Sequence, residues 1–292
     1  MKFNVNSLQL VALTVTLFAS NVFALTLNSQ NAIVVNDQTG VVMLAKNAES
    51  PVPIASLTKL MTAMVVLDAK PDMEETISIV DGDVDTLKHS KSRVRVGTNL
   101  SRKTVLKLAL MSSENRAAAA LARTYPGGNA AFVIAVKKKI IALGMTHTQI
   151  NEATGLSPDN MSTASDLAKM AIAASHYPQI VNITTNSSSV VNMNGRSVAF
   201  HNTNRLVGKK GWNILLSKTG FTNEAGHCLI MQVKQVGGDS TLVLLNSQAS
   251  SASVNDALKI RGLLTHPENR NSTRTAARNE LRNGHRVTRT RG

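Results

Sequence analysis

The chain has 292 residues, 43% hydrophobic and 17% charged, a globular composition that excludes disordered, collagen-like and low-complexity classes. Thirty-two Lys and Arg against 18 Asp and Glu give a net charge of +14 and a pI near 10.2, which suits an anionic partner. An aromatic content of 3% is thin for stacking bases, so a nucleic-acid reader is disfavoured, and the single cysteine, Cys228, excludes both an intrachain disulfide framework and a Cys-based zinc cage.

In chain order, Met1-Lys2 supplies a positive start and Leu8 to Phe18 is apolar apart from Gln9, Thr14 and Thr16. Val22-Phe23-Ala24 then places small residues at the −3 and −1 positions of a cleavage site. This predicts a secretory signal peptide at residues 1–24, cut after Ala24, and hence an exported, periplasmic protein with no nucleic-acid partner. The apolar run falls short of the roughly 20 residues a membrane span needs.

Ala32–Val35 and Val41–Leu44 are apolar runs joined by the turn chemistry of Asn36-Asp37-Gln38-Thr39-Gly40, which predicts a hairpin. Leu57, Leu60, Met61, Met64 and Leu67 recur at three and four, predicting a buried helix over 56–67. Further helices are expected at 104–111, 116–123, 130–143 (ending at Gly144) and 163–175, the last opened by a capping-box variant at Thr163-Ala164-Ser165-Asp166. Strand character returns at Ile214–Lys218, Cys228–Val233 and Thr241–Leu245. Ser253-Val254-Asn255-Asp256 is read as the cap of a last helix reaching Leu264. Strands at both ends with helices between imply one antiparallel sheet built from both termini, with a helical subdomain inserted over roughly residues 65–200. The folded domain is expected over 25–267, followed by a basic, disordered tail at 268–292.

Three short motifs carry chemistry. In Ser56-Leu57-Thr58-Lys59 a hydroxyl and an amine lie three residues apart, hence on one helix face. A helix N-terminus at Ser56 favours negative charge on its oxygen and disfavours protonation of Lys59, as a lysine base requires. Ser113-Glu114-Asn115 falls at a bend between helices. There Ser113 can relay a proton to a leaving amine, and Asn115 can hold either substrate backbone or Lys59. Lys218-Thr219-Gly220 is expected on a strand entering a turn at Phe221-Thr222-Asn223-Glu224. Lys218 and Thr219 can bind a carboxylate, Gly220 leaves room for an acyl group, and the Phe221 N–H pairs with that of Ser56 as an oxyanion hole. Each motif alone is weak, but three in order behind a signal peptide are much stronger.

On these residues the sequence resembles the serine D-Ala-D-Ala peptidase family, the low-molecular-mass penicillin-binding proteins. Pro53–Ala63 and Lys218–Gly226 resemble its D-alanyl-D-alanine endopeptidase branch, the penicillin-binding protein 7 type, and Asn151–Leu156 and His201–Leu206 look like family segments flanking the cleft. The resemblance covers residues 28 to 265. It implies a β-lactamase/transpeptidase-like α+β fold with a five-stranded antiparallel sheet flanked by helices. It also implies an acyl-enzyme on Ser56 with Lys59 and Ser113 as catalytic partners, and substrate held by Asn115, Lys218, Thr219, Gly220 and Phe221. The substrate would be peptidoglycan, β-lactams would acylate the same serine, and no metal or cofactor would be needed. The β-rich domain that usually ends the carboxypeptidases has no counterpart here, which favours the endopeptidase branch. A D-alanyl-D-alanine carboxypeptidase with the same residues, or a catalytically idle wall-binding protein, remain the alternatives.

Other features read as structural. Glu152 is placed as a loop carboxylate rather than a deacylating base, and Asp81-Gly82-Asp83-Val84-Asp85 as a solvated acidic turn rather than a calcium loop. Cys228 is expected buried and inert, opposite in direction to His227. Lys137-Lys138-Lys139 is the wet face of a helix, and His201 shapes the cleft or is simply structural. Arg270, Arg274, Arg278, Arg282 and Arg286 recur every four residues with almost no apolar face, which suggests an electrostatic arm for anionic envelope surfaces.

Overall fold

The computed structural model describes residues 25–235 and 238–265; the expected signal peptide and basic tail lie outside them. A hairpin opens the domain, β1 (Asn31–Asn36) and β2 (Val42–Lys46). It is followed by β3 (Val52–Pro53) and a single tight helical turn, Ala55–Leu57, that runs directly into α1 (Thr58–Asp68). Ser56 therefore sits in the tight turn rather than in the first turn of the α-helix. Every residue of α1 from Thr58 to Val66 is buried, as expected of a helix at the centre of a core.

The short strands β4 (Thr76–Ser78) and β5 (Asn99–Ser101) precede α2 (Arg102–Met111), α3 (Asn115–Arg123) and α4 (Gly128–Ala142). Next come β6 (Met161–Ser162), which pairs with β3, and α5 (Ala164–Ala174). The Thr163 side chain accepts from the Asp166 N–H as the cap predicts, but the Asp166 carboxylate turns instead to His147 N and Thr148 Oγ1. Helix α6 (Pro178–Thr185) and a hairpin, β7 (Ser188–Met193) with β8 (Arg196–His201), extend this subdomain beyond the purely helical insertion that the sequence pattern suggests. The hairpin turns on Asn194-Gly195, both with positive φ, the combination a two-residue hairpin loop favours.

The chain closes with β9 (Ile214–Thr222), β10 (Gly226–Val233), β11 (Ser240–Ser247) and α7 (Ser250–Thr265). Two expectations are corrected here. β9 continues through Phe221 to Thr222, so the turn falls after it. α7 begins at Ser250, and Ser253 lies inside it, donating to Ser250 O. Asp256 is not a cap: its carboxylate accepts from the Asn28 and Ser29 amides, tying α7 to the start of the domain.

The principal sheet has five antiparallel strands in the order β2-β1-β11-β10-β9. Both faces are buried. Ile33, Val35, Leu216, Ile230, Val243 and Leu245 face the core shared with α1 and α5, while Val34, Met231, Leu242 and Leu244 pack with Ala257, Ile260 and Leu264 of α7. Burial on both faces accounts for the continuous rather than alternating apolar runs of these strands. β9 is the free edge beside the helical subdomain, and the Ala55–Leu57 turn packs against it.

Candidate active site

The three motifs converge in a cleft between the β9 edge and the helical subdomain. Ser56 is brought in by a backbone under strain: Ala55 has φ +45°, a conformation that non-glycine residues hold only when the surroundings enforce it. The enforcement is visible. A Cβ on Gly155, itself at φ +81°, would lie 1.9 Å from the Ala55 carbonyl oxygen, and one on Gly220 would lie 3.0 Å from both Ala55 Cβ and Ser56 N. Gly220 thus serves the close approach of β9 to the Ser56 turn. That approach brings the β9 segment ending in Phe221 beside the Ser56 amide.

Lys59 is 1% exposed. Its Nζ donates to Ser56 Oγ at 2.7 Å, to Asn115 Oδ1 at 2.7 Å and to the Thr154 carbonyl at 2.6 Å. Burial pushes its pKa down to about 7, against the opposing pull of the Glu152 and Glu114 carboxylates. When the amine is neutral, the Asn115 and Thr154 oxygens absorb its two N–H bonds and leave the lone pair for the Ser56 hydroxyl.

Ser113 sits at the bend between α2 and α3 with φ +59°. Its Oγ accepts from Lys218 Nζ at 2.9 Å, and Lys218 also donates to the Thr219 carbonyl at 2.8 Å. Lys218 is 1% exposed, and burial first, then the charge of Lys59, hold its pKa well below the usual lysine range. The lysine thus holds the Ser113 hydroxyl from a buried position on β9. The outer position belongs to Thr219, whose hydroxyl donates to Thr203 Oγ1 at 2.6 Å. Phe221 is 55% exposed and stacks on His227 with ring centroids 4.3 Å apart.

The segment Asn151–Leu156 forms the floor. The Glu152 carboxylate accepts from Thr154 N, Thr154 Oγ1, Gly155 N and Asn160 Nδ2 at 2.6–2.9 Å, while Asn160, fully buried, also donates to Thr58 Oγ1. Glu152 is thus the strut that delivers the Thr154 carbonyl to Lys59, with its lone pairs already occupied. Of the segment His201–Leu206, Thr203 reaches the site and its N–H donates to Met111 O, whereas His201, the last residue of β8, is exposed and pairs across the hairpin with Ser188. Residue-type reasoning missed Thr154, Thr203 and Ser90 (which accepts from Asn115 Nδ2 at 2.8 Å). Two of these contribute only a hydroxyl and one a main-chain oxygen.

The remaining signals resolve structurally. Asp83 is buried against Arg123 through two 2.9 Å contacts. Asp85 accepts from the N–H groups of Leu87, Lys88 and Ser90. Lys139 is tied to Asp68 and to the Tyr177 hydroxyl, leaving Lys137 and Lys138 as the exposed pair. Cys228 is buried, and burial pushes its thiol pKa up to about 11. Among the described residues no helix is long and apolar enough to cross a membrane, and no cluster of acidic, His or Cys side chains has metal-binding spacing.

A family model described as D-alanyl-D-alanine carboxypeptidase matches residues 18–249. The chain is 46% identical over 237 residues to a D-alanyl-D-alanine endopeptidase of Pseudomonas aeruginosa, covering 80% of this chain and 76% of that protein. It is 43% identical over 235 residues to the protein of that description from Escherichia coli, again covering 80% and 76%. Among solved structures, a Streptomyces DD-transpeptidase superposes with a TM-score of 0.74 at 25% identity, covering 81% of this chain and 97% of that one. A penicillin-binding protein of Listeria monocytogenes in its ampicillin-bound form gives a TM-score of 0.71 at 26% identity, with coverages of 82% and 98%.

Proposed function

Because the chain belongs to the D-alanyl-D-alanine carboxypeptidase family of peptidases (peptidase S11), we propose that it is an exported serine D,D-endopeptidase that hydrolyses the D-alanyl cross-links of peptidoglycan. The observation that carries this reading is the placement of Lys59: a buried amine with its pKa near neutrality, 2.7 Å from Ser56 Oγ and oriented by two carbonyl oxygens.

Neutral Lys59 takes the Ser56 proton as Oγ attacks the D-Ala carbonyl. The developing oxyanion is held by the Ser56 and Phe221 N–H groups. Ser113, polarised by Lys218, passes its proton to the departing amine as the C–N bond breaks and is reprotonated by the proton that Lys59 took from Ser56, which leaves an ester on Ser56 and a neutral Lys59. Lys59, deprotonated again, then activates the water that hydrolyses this ester. Asn115 and Thr219 position the substrate, and Gly220 keeps the strand against the Ser56 turn. β-Lactams acylate Ser56 by the first half of this route. The excess of Lys and Arg over Asp and Glu draws the enzyme to a carboxylate-rich polymer.

Relatives described as endopeptidases at 43% and 46% identity, against carboxypeptidases at 28–29%, favour cleavage of cross-links over removal of a terminal D-Ala. We place the enzyme in the periplasm after removal of residues 1–24. On purified sacculi, dimeric muropeptides should fall while monomers rise, with free D-alanine appearing only slowly from pentapeptides. Fast D-alanine release with dimers untouched would assign the carboxypeptidase reaction instead. A fluorescent penicillin mapped by mass spectrometry should mark Ser56 alone; an adduct on Ser113, or none on folded protein, would sink the mechanism.

A further inference from the structure

Residues 85–93 have no part in the reaction just described, yet they hold two of the three residues of the second motif. Ser90 Oγ accepts from Asn115 Nδ2 at 2.8 Å. Ser92 Oγ donates to Glu114 Oε2 at 2.6 Å, and Arg93 N–H to Glu114 Oε1 at 3.4 Å. The loop is itself pinned. The Asp85 carboxylate accepts from the amides of Leu87, Lys88 and Ser90 at 2.8–2.9 Å. His89 adopts φ +52°, which turns Lys88 outward and Ser90 inward. Lys88 ion-pairs with Glu224 at the tip of the β9–β10 hairpin, across the cleft. Hydrogen bonds thus link Ser90 to Asn115 and Asn115 to Lys59, 31 residues back along the chain from Ser90.

We propose that Ser90 is a positioning residue for the reaction: by accepting from Nδ2 it fixes the Asn115 amide with Oδ1 facing Lys59, while the loop around it clamps the strained Ser113 bend. The inference rests on the serine peptidase reading above. A terminal amide has two nearly isosteric orientations, and only the hydrogen-bond network selects between them. In the observed orientation Lys59 Nζ meets an acceptor. Rotated by half a turn, the amide would present an N–H to the lysine, repelling the ammonium and competing with the Ser56 hydroxyl for the lone pair of the neutral amine. The other groups that act on Lys59 are the Ser56 hydroxyl, the Thr154 carbonyl, the Glu152 and Glu114 carboxylates and the Lys218 amine. None of them contacts the Asn115 Nδ2 side, where Ser90 adds its acceptor to the preference that the Lys59 ammonium itself has for Oδ1.

The test is the rate of acylation by a fluorescent penicillin between pH 5 and 9 on the full-length protein, with melting temperatures measured in parallel. In Ser90→Ala the plateau rate should fall about three- to tenfold, the scale of one neutral hydrogen bond. Its acidic limb should move to lower pH by roughly half a unit, because the flipped amide favours the neutral amine. Ser90→Thr keeps the hydroxyl and should restore both. Ser90→Cys, which keeps the volume but accepts only weakly, should resemble Ser90→Ala and serves if that variant folds poorly. A reduced plateau with an unmoved limb would reduce Ser90 to a structural role and overturn the inference. A wild-type profile in Ser90→Ala beside normal labelling of the unaltered protein would overturn the inference alone. An unaltered, folded protein that takes no penicillin would overturn the peptidase reading and the inference with it.

Discussion

Lys59 and Lys218 end on different serine hydroxyls in one buried pocket, at 2.7 Å from Ser56 Oγ and 2.9 Å from Ser113 Oγ. Burial disfavours the charge of each, and the charge of Lys59 further disfavours that of Lys218. Two ammonium groups in such a pocket repel, so loss of a proton near neutrality relieves the site and supplies the base that acyl transfer needs. The carboxylates of Glu152 and Glu114 moderate the effect and keep the Lys59 value near 7.

Acylation by penicillin should therefore rise with pH through about 7 as Lys59 loses its proton. Lys59→Ala should leave the fold intact, abolish that limb and lower the rate by roughly 10² or more, the scale of a lost general base. Stopped-flow measurement of acylation against pH checks both. Near-normal acylation in the variant would move the base elsewhere, with Lys218 next in line.

The glycines at the site should separate stability from chemistry. Gly155→Ala places a Cβ 1.9 Å from the Ala55 carbonyl at a residue with φ +81°, and should cost roughly 3 kcal/mol or more in urea unfolding. Gly220→Ala creates 3.0 Å contacts with Ala55 Cβ and Ser56 N. These are relieved by a shift of a few tenths of an ångström in β9, so stability should fall by only about 1 kcal/mol while acylation falls about tenfold or more through the displaced oxyanion hole.

The three motifs are legible in the sequence because each is local and depends on residue type: a hydroxyl and an amine one helical turn apart, or a lysine and a glycine on a strand. The partners that tune them are not. Thr154 contributes a main-chain oxygen, which any residue possesses, and Ser90 and Thr203 contribute hydroxyls from loops with no periodic pattern. Gly220 reads as room for an acyl group, and its contact with the Ser56 turn, which occupies the space a side chain would need, has no local signal. Ser253 and Asp256 read as a helix cap, but Asp256 is claimed by Asn28 and Ser29, more than 200 residues away, a competition no local window contains. The Asn194-Gly195 turn of the β7–β8 hairpin is a feature the sequence does display, obscured by the helical character of its surroundings.

Asp256 offers a test of acid stability. Burial works against its charge, but four hydrogen bonds from Asn28 and Ser29 outweigh it and hold the carboxyl below the usual aspartate range. With the folded value depressed, the stabilisation is complete above the unfolded value of about 3.9 and is lost as pH falls through the folded one. Asp256→Ala should cost roughly 2–4 kcal/mol at pH 7, and the gap to the unaltered protein should narrow toward pH 3. Urea melts at the two pH values measure it.

Residues 268–292, outside the described structure, hold seven arginines and two glutamates, a local charge of +5. Truncation after Pro267 should leave acylation unchanged but weaken sedimentation with anionic sacculi or vesicles. Attraction of this kind is worth up to about 1 kcal/mol per basic residue and is screened over roughly 8–10 Å. Binding by the full-length protein should therefore fall more steeply with added salt than binding by the truncated form. Equal salt slopes would assign the adhesion to the folded domain alone.

Among the described residues β1 and β2 meet one sheet neighbour beyond their own hairpin, β11, and its partner residues 240–245 come some 200 positions later in the chain. A chain delivered N-terminus first therefore leaves the first hairpin waiting for some 200 further residues before the strand that covers its edge arrives. Through that interval an apolar strand with unpaired backbone groups stands open to wrong partners. β9, which carries Lys218, likewise forms only when its pairing partner β10 has emerged. Ser56 and Lys59, made early, therefore remain without Lys218 on Ser113 until nearly the whole domain is available, so a chain cut short before β10 never brings the three motifs together.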